Sequence, residues 1–329
     1  MKTSTIIYNP MSGRRGRRAQ NVRAMQRLLD ARDIHSEAQA TSGPDDATRL
    51  ATEAVAAKVD LVIAYGGDGT VNEVIQGMAG SLVPLAIWPG GTSNVVARDL
   101  GLPFDIEQLA DVFAAGKSQR IALGKATSGP AFASTDSETE PGHQREESKA
   151  DPRGTPGTRN SEPGASERYF LMMAGIGLDA SVARGANTRL KRNTGEFAYW
   201  ISGLKHLLRW QPEVFSLEVD GRYFESAFAL IGNGKGYGGR MMMTPNAKLH
   251  EPLFEVYILP PLANNLSYLR ALIACMRGKP ETSGAALVLG KHVTANSSHE
   301  PWVEADGEII GPLPMTFEAV PDALTLVVR

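Results

Sequence analysis

Residues Leu61–Gly77, LVIAYGGDGTVNEVIQG, decide how this chain is read. Five strand-forming residues run into Gly66-Gly67-Asp68-Gly69-Thr70, and an apolar pattern with helical spacing follows. Glycines explain a tight turn, because they adopt backbone conformations closed to other residues. A tight turn alone gives the Asp68 carboxylate no task. Two readings stand. Asp68 caps the following helix through the Thr70 or Val71 amide. Otherwise it organises Mg²⁺ and water beside a phosphate, since an unscreened carboxylate there would be repelled.

Working outward, the first 120 or so residues alternate between short apolar strands and helices. Strands are expected at Thr5–Tyr8, Asp60–Tyr65 and Val83–Ile87, and helices at Arg17–Ala31, Asp46–Ala57, Thr70–Met78 and Ser93–Leu100. That alternation predicts an α/β domain whose parallel sheet is covered on both faces. Three strand-to-helix junctions carry unusual turns: Asn9-Pro10-Met11-Ser12-Gly13, Gly66–Thr70 and Pro89-Gly90-Gly91-Thr92-Ser93-Asn94. In such a sheet ligands bind at the carboxyl ends of the strands, so all three turns should face one crevice. Glycines let the backbone approach a ligand closely, and helix N-termini offer amides to phosphate oxygens. Ser12, Thr70, Thr92 and Asn94 add polar groups at the same level. Neither a Walker A run nor a G-x-G-x-x-G run is present.

The character changes after about Ile121. Thr127–Arg168 is a run of Ser, Thr, Pro, Gly and charge with Phe132 as its one aromatic. Such a segment buries too little apolar area to offset its ordering entropy, and it reads as a disordered insertion inside a hairpin. Strands are expected again at Tyr169–Ala174, Phe215–Val219, Glu225–Asn233, Phe254–Leu259, Ala285–Leu289, Lys291–Ala295, Trp302–Ala305, Met315–Ala319 and Leu324–Val328, with helices at Glu196–Leu208 and Leu266–Arg277. Many short strands at close spacing predict a β-sandwich-like second domain. The expected division is 1–122 and 123–321, with a C-terminal strand near 322–329 packing back onto the first domain.

Length and composition bound the rest. A chain of 329 residues exceeds one typical core. With 42% hydrophobic and 21% charged residues and a formal net charge of -2, it lacks the basic excess of a nucleic-acid binder. The single cysteine, Cys275, excludes an internal disulfide and fits a reducing cytosol. The apolar run before Asn9-Pro10 is too short for a secretory segment, and no run of about 18 apolar residues marks a membrane span. Membrane contact is then peripheral.

Taken together, NPMSG, GGDGTVNEV and PGGTSNVVARDLG resemble the diacylglycerol kinase catalytic-domain family, which includes bacterial lipid kinases and the sphingosine and ceramide kinases. GGDGT alone is shared with NAD kinases and resembles the phosphofructokinase turn; the Pro-Gly-Gly-Thr-Ser-Asn run points to the lipid branch. GIGLDASV (Gly175–Val182) and Asp306-Gly307-Glu308 extend the resemblance over the second domain. The resemblance implies an ATP- and Mg²⁺-dependent kinase of a lipid hydroxyl, diacylglycerol or a related lipid such as a sphingoid, at the inner membrane face, and it leaves room for a homodimer. It implies nucleotide contacts from Asn9, Pro10, Met11, Ser12 and Gly13, from Thr41, from Gly66, Gly67, Asp68, Gly69, Thr70, Val71 and Asn72, and from Thr92 and Asn94. Asp68 would belong to the network around the catalytic Mg²⁺, and Asp306 or Glu308 would accept the substrate proton. Read without the resemblance, Asp306-Gly307 is an ordinary hairpin turn.

The family also has a structural Mg²⁺ loop, onto which Lys248, Glu251 and Leu253 map. Here Glu251 stands for Asp and Pro252 for Gly, and proline fixes φ near -65°. Basic residues from Arg184 to Arg192, followed by Phe197, Tyr199, Trp200, Leu204, Leu207, Leu208 and Trp210, suit either a peripheral membrane contact or a core helix with a solvated basic turn. Met241–Met243 suits an acyl pocket or ordinary strand packing. Arg14, Arg15, Arg17 and Arg18 read as a solvated helix start, or as charges that steer ATP. Two rivals remain at this stage: a kinase of a soluble substrate such as NAD, and a nucleotide-binding regulatory protein without turnover.

Overall fold

A computed structural model of the chain describes residues 2–11, 17–129, 166–177, 212–237, 241–299 and 301–329. Strand β1 (Lys2–Tyr8) pairs in parallel with β2 (Ile34–Ala40) on one side and β3 (Leu61–Gly66) on the other, and β4 (Pro84–Pro89) continues the sheet beyond β3. All six residues of β3 are buried, as a central parallel strand requires. Edge strand β2 alternates polar, exposed positions with buried ones. Its sequence, IHSEAQA, therefore gives little hydropathy signal. Helices α1 (Arg18–Asp30), α2 (Asp46–Ala56) and α3 (Asp68–Met78) return the chain between these strands and bury Val22, Met25 and Leu29, then Leu50 and Ala51, then Val71, Val74 and Ile75. Each large apolar side chain so buried contributes about 1.5–3 kcal/mol. Helix α4 (Val95–Asp99) is shorter than expected, and α5 (Ile106–Ala115) is capped by Asp105, which accepts from the Glu107 and Gln108 amides.

Strand β5 (Ser118–Ser128) pairs antiparallel with β6 (Glu167–Phe170), Lys125 opposite Tyr169, so the two ends of the polar run Thr127–Arg168 lie side by side. Its interior, 130–165, lies outside the described residues, as do the basic and aromatic segment from Arg184 to Trp210 and the expected helix Glu196–Leu208. The two strands expected at Met315–Ala319 and Leu324–Val328 are one, the long strand reaching from Met315 to Val327. It runs antiparallel to β5, with a register shift between Val320 and Leu324 beside Pro321, where a ladder N–H is missing. Past the shift, Thr325 and Leu326 pair in parallel with β4, so this last strand ties the two halves into one ten-stranded sheet. The far edge of that sheet holds β8 (Phe215–Val219) and β9 (Arg222–Ser226).

A second sheet is antiparallel throughout. It contains β7 (Met173–Ile176), β10 (Phe228–Gly232), β13 (Phe254–Leu259), β14 (Ala286–Gly290), β16 (Trp302–Ala305) and β17 (Glu308–Pro312), in the order β14-β13-β10-β7-β16-β17. Short strand pair β11 (Gly236–Tyr237) and β12 (Met241–Met242) stands apart, and β15 (His292–Asn296) and β18 (Met315–Val327) belong to the large sheet. Two stretches expected as single strands are divided between the sheets. Tyr169–Ala174 breaks at Leu171-Met172 into β6 and β7. Glu225–Asn233 breaks at Ala227 into β9 and β10, where the buried Ser226 hydroxyl donates to the Phe228 carbonyl at 2.8 Å. Between the sheets Phe170 stacks on Phe254 at 5.8 Å and meets the edge of Phe317 at 6.4 Å, with Phe215, Leu217 and Ile231 in the same core. Helix α6 (Asn265–Met276) lies against this half through Tyr268, Ala271 and Cys275. The fold is thus a parallel α/β domain and an antiparallel sandwich domain, as the strand pattern predicts. No helix among the described residues is long and apolar enough to cross a membrane.

Candidate active site

The ends of β3 and β4 meet backbone to backbone. The Gly90 amide donates to the Gly66 carbonyl at 2.8 Å, and a Cβ on Gly91 would lie 2.6 Å from the Gly67 Cα. Only glycine tolerates that approach. Asn94, at a left-handed φ of 46°, folds back on the same turn. Its Oδ1 accepts from the Gly91 amide at 2.8 Å and its Nδ2 donates to the Gly91 carbonyl at 2.9 Å. Asp68 does not cap its own helix, the first of the two courses expected of it. It is the first residue of α3 yet caps the neighbouring helix, its Oδ1 accepting from the Val95 amide at 2.8 Å. The carboxylate so joins the two glycine turns and lies at the favourable end of α4. Burial pushes its pKa above the ordinary value, against the pull of the surrounding amides.

The other turns reach the same sheet edge. Thr41 follows β2 and its amide donates to the Tyr8 carbonyl at 2.9 Å, while Asn9 Oδ1 accepts from the Met11 amide at 2.9 Å in a turn around Pro10. Met11, Gly69 and Thr92 are exposed there, and Thr70 is buried against Gly66. Ser12 and Gly13 lie outside the described residues, with Arg14 and Arg15. Arg18 is no solvated helix start. Its guanidinium is buried, lies 4.2 Å above the Tyr65 ring, and donates to the Gly90 carbonyl at 2.5 Å and the Tyr65 carbonyl at 3.4 Å. Tyr65 in turn stacks on Trp88 at 3.7 Å. Burial lowers the Arg18 pKa, and the cation braces both turns from beneath.

Asp306 and Gly307 form the two-residue turn between β16 and β17, with φ of 47° and 85°. The hairpin reading therefore holds, but the turn is also joined to the glycine edge. Asp306 Oδ1 accepts from the Met172 and Met173 amides at 2.9 and 3.0 Å. Its Oδ2 accepts from the Leu171 amide at 2.7 Å and from Asn72 Nδ2 at 3.0 Å. Burial pushes this carboxyl up, while the four donors pull it down. Glu308 differs. Its side chain is 38% exposed and ion-paired with Arg168, whose Nη2 also donates to Asn72 Oδ1 at 2.8 Å. Its Oε1 lies 3.7 Å from where a Gly69 Cβ would stand, so the carboxylate faces the GGDGT turn. Burial raises the Glu308 pKa; Arg168 opposes that, and Asp306 and Asp45 add to it.

Three features of this arrangement were not legible beforehand. Arg168 sits at the end of a run read as disordered, Asn72 holds Asp306 and Arg168 as well as facing the edge, and Gln76 clamps both backbone groups of Tyr169 at 2.8 and 2.9 Å. Nothing short of the strand break at Leu171-Met172 would have placed Asp306 in a ring of amides. A shallow hollow lined by Phe215, Tyr223 and Asn296 lies on the β8–β9 edge and shares no residue with this site.

The loop matching the structural Mg²⁺ site is closed differently. Lys248 Nζ donates to Glu251 Oε1 at 2.8 Å, the Lys248 carbonyl accepts from the Glu251 amide, and the Glu251 carbonyl accepts from the Leu253 amide. The ammonium holds the Glu251 carboxyl below its ordinary value, and the Lys248 and Glu251 carbonyls are taken up by amides of the loop. These residues do not fit a divalent ion. Among the described residues no group of three or more His, Cys, Asp or Glu side chains is gathered for a metal.

Comparison with known proteins agrees with this fold. Residues 3–126 match the diacylglycerol kinase catalytic domain, and residues 172–328 match the YegS C-terminal NAD kinase beta sandwich-like domain. The chain belongs to the diacylglycerol kinase catalytic-domain family. It is 28% identical over 324 residues to the diacylglycerol kinase of Bacillus subtilis (strain 168), covering 96% of this chain and 93% of that one. It is likewise 28% identical over 322 residues to the diacylglycerol kinase of Staphylococcus aureus (strain bovine RF122 / ET3-1), covering 96% and 89%. A crystal structure of a diacylglycerol kinase from Bacillus anthracis (strain Sterne) superposes with a TM-score of 0.71 at 23% identity, covering 100% of this chain and 97% of that one. For a diacylglycerol kinase family member, the glycine turns and the Asp306–Glu308 hairpin are the parts to explain.

Proposed function

We propose that the chain is an ATP-dependent lipid kinase that transfers the γ-phosphoryl group to a lipid hydroxyl, with diacylglycerol the favoured acceptor. The observation that carries this reading is the apposition of Glu308 to Gly69. A desolvated, half-exposed carboxylate looks onto the N-terminus of α3, whose first amides have no side-chain cap. Free amides at a helix N-terminus suit phosphate oxygens, and a carboxylate with a raised pKa suits a general base. In this reading Asn9–Gly13, Thr41, Gly66–Asn72, Thr92 and Asn94 form the nucleotide side, Asn94 and Asp68 by shaping the turns. Glu308 takes the proton as the lipid oxygen bonds to the γ-phosphorus and the bond to the leaving ADP oxygen breaks. Asp306, held by four donors, positions the hairpin instead of exchanging a proton. Mg²⁺ bound with the nucleotide supplies charge neutralisation on the phosphates, and Asp68 and Glu308 offer hard oxygen donors on that edge.

Residues 1–122 are then the nucleotide domain and 123–321 the lipid-substrate domain, with the end of β18 returned to the first. The working location is the cytoplasmic membrane face, in peripheral contact. The lipid acceptor comes from the two relatives' names, and the phosphoryl chemistry from the site. Incubation with ATP-Mg²⁺ and a mixed lipid extract, with products read by mass, should yield phosphatidic acid. Phosphorylation of NAD instead, without vesicles or detergent, would replace the lipid with a soluble acceptor; ATP binding without any product would make the chain a regulator.

A further inference from the structure

Helix α6 is apolar on its outer face as well as on the face it buries. Tyr268, Ala271 and Cys275 face the protein and are buried, whereas Leu266, Ile273 and Met276 are 53%, 37% and 55% exposed. Their spacing puts the exposed three on one face, with Leu269 partly buried beside them. Arg270 and Arg277 are exposed and flank that face, Lys279 follows, and the sequence from Asn265 to Arg277 contains no acidic residue. An apolar outer face edged by cations is the pattern of a helix lying in a membrane interface.

Its place in the fold supports the same partner. Helix α6 packs on β12, where Met242 is 40% exposed, β12 pairs with β11, and β11 packs on α4. Helix α4 begins at the Pro89–Asn94 turn, where Asp68 caps it. A surface seated on α6 therefore lies a short, continuous chain of contacts from the phosphate edge.

We propose that α6 docks the enzyme on an anionic bilayer, its Leu266, Ile273 and Met276 entering the interface and Arg270 and Arg277 meeting lipid phosphates. The inference deepens the lipid-kinase reading and rests on it for the choice of a bilayer as partner. A second copy of the chain fits less well, because the helix offers no carboxylate to receive its partner's arginines. Binding of this kind combines buried apolar area with attraction to anionic headgroups, and the electrostatic part is screened by salt.

The test is co-sedimentation without nucleotide, using phosphatidylcholine vesicles with and without phosphatidylglycerol. The wild-type chain should pellet with the anionic vesicles, and less so at high salt. The triple variant Leu266→Ser/Ile273→Ser/Met276→Ser should bind about tenfold more weakly, and Arg270→Gln/Arg277→Gln should lose the preference for phosphatidylglycerol. Both variants should keep the wild-type rate on diacylglycerol in detergent micelles, which shows that they are folded. Unchanged vesicle binding by both variants would overturn the proposal, as would a solution dimer that the triple variant splits. A chain that docks through α6 but phosphorylates no lipid would sink the kinase reading and leave the docking surface standing; micelle turnover without vesicle binding would do the reverse.

Discussion

Asp306 and Glu308 are two residues apart and have opposite surroundings. Asp306 receives three backbone amides and Asn72, so its carboxylate is fully engaged, while Glu308 is half-exposed at Gly69 with Arg168 as its counter-ion. The tripeptide was readable as a motif. Which of the two acids is free to act was not, because that depends on amides at Leu171–Met173 that meet Asp306 only where the chain changes sheets. The charges set a pH signature. Burial, Asp306 and Asp45 raise the Glu308 pKa and Arg168 lowers it, while Glu73 on α3 stands close enough to feel Glu308. Glu308 must be ionised to accept a proton, so kcat/KM should rise with pH through an acid limb above the ordinary glutamate value of about 4.3. Removing the cation in Arg168→Gln takes away the lowering influence, and the limb should move to higher pH. A limb that stays in place would mean that this pair does not tune the base.

At the scale of elements, the glycine turns were legible and their internal logic was not. Composition marks Gly66–Thr70 and Pro89–Asn94 as turns at strand ends. That Gly67 and Gly91 pack on each other, that Asp68 caps α4 and not α3, and that Arg18 lies beneath both are consequences of strand adjacency, which no single segment encodes. The loop Ala247–Val256 shows the same limit. Sequence showed Glu251 and Pro252 as departures; the fold shows the Glu251 carboxylate paired with Lys248. Thermal unfolding without nucleotide should therefore give the same Tm in Mg²⁺ and in excess EDTA. A Tm that falls in EDTA would restore the structural metal. Since Lys248 and Glu251 are roughly half-exposed, their pair contributes little to stability beyond shaping the loop.

For the whole molecule, fold class followed from alternation in the first half and short strands in the second. What periodicity could not show was how the halves are joined. Strand β18 pairs with β5 and β15 of the sandwich, then with β4 of the α/β sheet, and the breaks at Leu171-Met172 and Ala227 pass the chain between sheets. Those joints put the β16–β17 hairpin against α3, so the glycine-turn edge and the proposed base come from opposite ends of the sequence. The central claim is that these two parts form one phosphoryl-transfer site with Glu308 as its base. Parallel measurements of ATP binding and of phosphoryl transfer to diacylglycerol, in wild type, Glu308→Gln and Asp306→Asn, test it most directly. Glu308→Gln should bind ATP as the wild type does and lose about 10²–10⁴-fold in kcat, whereas Asp306→Asn should mainly lose stability, by about 1–3 kcal/mol from its mismatched donors. Near-wild-type turnover in Glu308→Gln would contradict the account.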